Sequence, residues 1–268
     1  MDLFLILTFL FYCGAILGWC LEFLFRNLIS HKGPRGKFFI NPGFCKGPYL
    51  PIYGVGLSAM CLISYFVTEK IPNASPVIVI LIIGAVMILI EFIGGFVLLQ
   101  NNIRLWDYRD RPGNIMGIVC PLFSLIWIAI GAVYYLFIHP TIIDWIIWLA
   151  DNLSYCFVVG FFWGVFIIDL VTSNKEAKMV KEFGENHEVI VKYEELKAAM
   201  QAARKENNQK TSFFNQLLNP PKTEAEKTEI TQAIEQHTDV YESRETGVRS
   251  KRSGKHKRRS GKKKSKSN

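Results

Sequence analysis

The sequence predicts an all-α, polytopic membrane helix bundle. It has about five transmembrane helices with two parallel helix-pair repeats, followed by a cytoplasmic helical and then disordered basic tail. Three observations predict this. Apolar residues make up 50% of a chain whose excess charge sits at one end. Five apolar stretches each reach the roughly 20 residues needed to cross a hydrocarbon core of about 30 Å. A pattern of small residues and prolines recurs after seventy residues: Gly14-Ala15, Pro42-Gly43, Gly47 and Pro51 match Gly84-Ala85, Pro112-Gly113, Gly117 and Pro121.

The expected spans are 3–25, 49–67, 76–99, 115–138 and 152–172. The first is read as a retained span rather than a signal peptide, because only Asp2 precedes its apolar run and no small-x-small site comes before Glu22. The apolar stretch 141–150 is too short to cross, and Asp144, Trp145 and Trp148 place it at the interface. The domain reading is therefore a transmembrane unit at 1–172, with repeat one at about 10–67, repeat two at about 80–138 and a fifth span at 152–172. An amphipathic helix extending from span five at 173–219 and a mobile polar, polybasic tail at 220–268, with a short helix around 224–236, follow.

The net charge of +8 belongs to the tail. The last twenty residues carry eleven Lys and Arg, so the rest sums to −3 (8 minus 11). Loop one carries Arg26, Lys32, Arg35, Lys37 and Lys46, and loop three carries Arg104, Arg109 and Arg111. Loop two carries only Lys70, and loop four carries no basic residue but His139. The positive-inside rule then puts loops one and three and the C-terminus in the cytoplasm and the N-terminus outside, in a cell membrane.

The inward-running spans each hold an acid: Glu22, Glu91 and Asp169. Glu22 and Asp169 fall near cytoplasmic ends, where a carboxylate reaches the interface. Glu91 lies about eight residues, or roughly 12 Å, from the end of its span. A carboxylate at that depth costs several kcal/mol unless it is paired, solvated or neutralised. Two readings stay open: a cation, proton or basic group bound in a polar cavity, or a structural partner such as a loop Lys or Arg, or a Trp or Tyr donor.

Loop one contains Asn41-Pro42-Gly43-Phe44-Cys45-Lys46-Gly47-Pro48-Tyr49-Leu50-Pro51, too rich in proline and glycine for continuous helix. Such backbone near a membrane is tolerated only when buried in protein or lining a wet cavity. It is expected to cap the bundle, with Pro48 and Pro51 in the first turns of span two. Its free amides favour an anionic group, with Lys46 close enough to assist. In loop three, Asp107 is expected to pair with Arg104 or Arg111. Trp106, Asp107 and Asn114 form a candidate headgroup or substrate site, and Pro112, Gly113, Gly117 and Pro121 shape its exit.

The six cysteines form no CxxC pair, and no His lies in an expected span. No metal, cofactor or catalytic residue is expected. An enzyme acting on lipid-linked substrates would use Glu22, Glu91 or Asp107 as acid or base, but it lacks a nucleophile–base pair.

Gly18-Trp19 with Glu22, Asn41-Pro42-Gly43-Phe44, Gly47-Pro48 and Pro51-Ile52-Tyr53-Gly54 resemble the first half of a family signature. Glu91-Phe92, Trp106-Asp107-Tyr108, Pro112-Gly113-Asn114-Ile115 with Gly117, and Cys120 with Ser124-Leu125 and Trp127 resemble the second. The resemblance covers about 10–130 and is to the bacterial ABC transporter permease family, type IV. It implies a membrane permease subunit with unknown substrate, working with a separate ATPase subunit. The chain carries no GxxxxGK[ST] loop of its own and no clear coupling-helix signature. Five spans are few for one transport path, which suggests a homodimer. The alternatives are a scaffold or regulator of cell-envelope assembly, or the lipid-linked enzyme above.

In the tail, Met179, Phe183, Ile190, Tyr193 and Met200 recur at near-heptad spacing, an expected amphipathic helix with coiled-coil character. Residues 249–268 are almost wholly Lys, Arg, Ser and Gly and are expected to be disordered. They suit anionic lipid, or nucleic acid by phosphate neutralisation, or serve only to reinforce topology.

Overall fold

A computed structural model describes residues 3–28, 41–71, 73–206, 223–236 and 240–243. The seventy-residue repeat falls on two successive helix–loop–helix units. Helix α1 (Leu3–Leu28) leads through loop one into α2 (Pro51–Lys70), and α3 (Pro76–Gln100) leads through loop three into α4 (Pro121–Val133). Pro51 and Pro121 each open their helix, where the missing amide breaks no helical hydrogen bond. Gly43 and Gly113 both take positive φ, +86° and +71°, a turn that a side chain would strain. Within each pair, glycines allow close approach: a Cβ on Gly14 would meet the Tyr53 carbonyl at 2.7 Å, and one on Gly131 would meet Ile83 at 2.8 Å.

Among the described residues, five helices are long and apolar enough to cross a membrane, and span four differs from the sequence expectation. Span four begins at Pro121 rather than 115, because Ile115 N–H bonds to the Val119 carbonyl (2.9 Å) around Gly117, which has φ +71°. It then continues past 138. A π turn at Tyr134–Ile138 carries it into α5 (His139–Ala150), accommodating Pro140, which has no amide to donate. The stretch expected to lie separately at the interface thus prolongs α4. Its Ile142 and Ile146 are buried, while Trp145 and Trp148 are exposed.

Helix α6 (Leu153–Asn186) carries the fifth span on past 172, as expected, and is followed by a small folded domain. Strand β2 (Val189–Lys192) pairs in parallel with β1 (Ile103–Arg104) of loop three, with Ile103 opposite Val191. It pairs antiparallel with β3 (Tyr241–Ser243). Helices α7 (Tyr193–Glu206) and α8 (Thr223–Gln236) pack over this sheet. The single helix expected over 173–219 is therefore interrupted by a strand; the short helix expected around 224–236 is present, and the strand at Tyr241–Ser243 was not expected. The near-heptad residues Ile190, Tyr193 and Met200 enter this domain's core, and Met179 and Phe183 pack against it. The rest of the expected tail, including 249–268, lies outside the described residues.

Candidate functional site

The Pro/Gly loops and the ends of the helices they join hold three linked polar clusters. The deepest centres on Asp169 of α6, which is fully buried rather than at the interface as expected. Its carboxylate accepts from the amides of Lys46 (3.0 Å) and Gly47 (2.8 Å), and from the hydroxyls of Tyr49 and Ser173 (3.1 Å). The anion expected at the amides of loop one is thus a carboxylate of the same chain. Burial and the Asp169 charge raise the Tyr49 pKa, so the phenol stays a donor. Burial and Asp169 also push the nearby Cys45 thiol up to about 12, leaving it inert. Lys46 does not aim at an outside anion, because its ammonium pairs with Glu176.

The second cluster joins the repeats. Glu91, 5% exposed, accepts from Tyr108 Oη (3.1 Å) and Trp127 Nε1 (3.0 Å). Among the structural partners the sequence allowed, it takes Trp and Tyr donors. Tyr108 stacks on Phe123 at 4.4 Å, and burial with the Glu91 charge raises its pKa, so it too remains a donor. Glu22 pairs with Arg26 one turn on (2.7 Å). Tyr53 links the two sides: its ring lies against Gly18, one turn before Glu22, and meets Trp127, a donor to Glu91, at 5.5 Å. Each repeat therefore brings its acid to one junction.

The third cluster closes loop three. Asp107 pairs with Arg104 at 3.8 Å, one of the two expected partners, and more closely with Arg109, which was not expected. Burial opposes ionisation of Asp107, but the Arg109 hydrogen bonds and charge win and lower its pKa. Trp106 and Asn114 are spent within the loop. The Trp106 indole donates to the Ile118 carbonyl (2.8 Å), and the Asn114 amide donates to the Arg111 carbonyl (2.8 Å) while its oxygen accepts from Gly117 N–H (3.1 Å). Asn41 plays the matching part in loop one. Its amide donates to the Lys46 and Gly47 carbonyls (2.8 and 2.7 Å), and its oxygen accepts from Trp19.

Of the sequence candidates, Glu22 and Glu91 lie on either side of the Tyr53–Trp127 contact. Lys46 lies with Asp169 and Glu176, and Trp106, Asp107 and Asn114 stay in loop three. Arg26 and Tyr53 were not singled out as site residues. The i, i+4 spacing of Glu22 and Arg26 was a readable signal for the first.

Five long apolar helices, two of them paired in each repeat, define a multi-pass membrane protein. The chain belongs to the family described as Putative ABC-transporter type IV, which matches residues 9–174 and so spans both repeats and most of α6. No curated protein and no solved structure matches it.

Proposed function

We propose that the chain is the membrane-embedded subunit of an ABC-type transporter that works with a separate ATPase subunit. Its cargo contacts the junction of the two repeats. One observation carries this: Glu22 and Glu91, acids of equivalent helices, flank one aromatic junction, in which the Tyr53 ring lies against Gly18, one turn before Glu22, and against Trp127, which with Tyr108 donates to Glu91. Carboxylates within a membrane are costly, and such residues mark substrate or ion pathways. The charge of the loops supports a cytoplasmic position for this junction and for the C-terminal domain, with the N-terminus outside. Two copies would supply a fuller path than five spans alone. The reading includes no catalytic step.

A second reading is a membrane scaffold or regulator of cell-envelope assembly. It is favoured by the way both Pro/Gly loops are built into one folded C-terminal domain, with Asp169 and Glu91 held by donors of the chain itself. Purification in mild detergent with mass spectrometry separates the two. A stoichiometric ATPase whose turnover in liposomes falls with Glu91→Gln supports the transporter. Envelope-assembly proteins with no ATPase support the scaffold and sink the first reading.

A further inference from the structure

The C-terminal domain grips the two loops by different means. Its hold on loop three is largely backbone: β1 pairs with β2, and Val191 N–H bonds to the Asn102 carbonyl (2.8 Å). Glu242 of β3 adds pairs to Arg104 and Arg109. Its hold on loop one comes from side chains at the start of α7. Glu194 takes the Arg26 guanidinium through both oxygens, at 2.8 and 3.0 Å. Lys197, on the same face one turn later, donates to the carbonyls of Asn41 (2.8 Å) and Gly43 (2.7 Å). Tyr193 stacks on Phe44 with centroids 5.8 Å apart, and its hydroxyl donates to Glu176 (3.1 Å), which also pairs with Lys46.

Arg26 is the hinge of this arrangement. The same guanidinium that holds Glu194 also holds Glu22, through Nε at 2.7 Å. A displacement of α7 therefore changes the charge balance on a carboxylate of the repeat junction. It also uncovers two loop carbonyls whose donor was Lys197. The Asp169 bonds to the Lys46 and Gly47 amides come from α6 and do not depend on α7.

We propose that the first turn of α7 is a releasable latch on loop one, with Arg26 linking its state to Glu22. The Arg26–Glu194 pair is partly exposed and opens at lower cost than a strand pairing, because its charges regain water on release. Opening frees the stretch from Gly43 to Cys45 while β1–β2 keeps loop three attached. The proposal stands apart from any cargo or ATPase, so it can fail while the transporter reading survives, and the reverse.

Hydrogen exchange on the full chain in lipid nanodiscs tests it. Glu194→Gln and Lys197→Met should each speed exchange of the Gly43, Phe44 and Cys45 amides by about tenfold or more. The Lys46 and Gly47 amides and those of Val189–Lys192 should change by less than about twofold. The unaltered chain moved from low salt to about 1 M salt should show the same selective rise, since screening weakens an ionic grip without a mutation. Unchanged exchange at Gly43–Cys45 in all three cases would overturn the latch. So would loss of protection at Val189–Lys192 in parallel with loop one, which would mean that α7 opens only when the whole domain unfolds.

Discussion

Replacing Asp169 should break the bundle where the fifth span meets loop one. Asp169→Asn keeps the shape. Its remaining oxygen, placed at the Oδ2 position, still accepts from Gly47 N–H and the Tyr49 hydroxyl. The Lys46 amide keeps its 3.0 Å bond to the Oδ2 position and loses the shared one to Oδ1, where the NH2 group now stands, while the Ser173 hydroxyl turns to accept. The loss is the charge assistance on the retained bonds plus the close approach of the NH2 group to the Lys46 amide, together about 2–3 kcal/mol. Asp169→Ala leaves two buried amides and two hydroxyls without their acceptor. At about 1–3 kcal/mol for each group that cannot turn elsewhere, the cost is roughly 4–6 kcal/mol. Equilibrium unfolding in detergent, followed by tryptophan fluorescence, measures both. A stability for Asp169→Asn within about 0.5 kcal/mol of the parent, or an alanine variant no worse than the asparagine one, would refute the reasoning.

Three further outcomes are expected. Gly18→Ala should cost about 1–3 kcal/mol, because its Cβ would fall on the Tyr53 ring near the ring's attachment to the backbone, whereas Gly160→Ala should be neutral or stabilising by up to ~1 kcal/mol, since no heavy atom lies within 4 Å; thermal melts of the two variants should diverge accordingly. Gly117→Ala should cost about 1–3 kcal/mol and loosen loop three, since the residue sits at φ +71° and the new Cβ would lie 2.6 Å from Arg109 Cγ, and faster proteolysis at 108–117 would report it. Burial pushes Lys197 down to about 8 from the ordinary 10.5, so between those values the unfolded chain holds the extra proton and stability rises with pH. The melting temperature of the parent relative to Lys197→Met should therefore climb between pH 7.5 and about 10, and a fall would contradict the depressed value.

The repeat and the spans were legible because bilayer thickness imposes a length on every apolar run, and because turn geometry demands glycine and proline at fixed places. The matched Gly43 and Gly113, and Pro51 and Pro121, report that demand directly. The start of span four was not legible. Ile115–Cys120 is as apolar as the helix it precedes, and only the turn around Gly117 sets it apart. The C-terminal domain was hidden for a different reason. Val189-Ile190-Val191 is short, and its apolar positions also fit a heptad. Its partner strand β1 lies in loop three, far away in sequence.

By itself the sequence determined the membrane class, the duplicated helix pairs and the acids of spans one, three and five. Hydrophobicity and backbone constraint act locally and leave a local record. Only the tertiary structure decided what each acid touches. Asp169 fills the amides of loop one, Glu91 takes Tyr108 and Trp127, and Glu22 shares Arg26 with Glu194 of the C-terminal domain. A buried charge must find its partner wherever the fold brings one near, and nothing in the spacing along a chain records which partner that is.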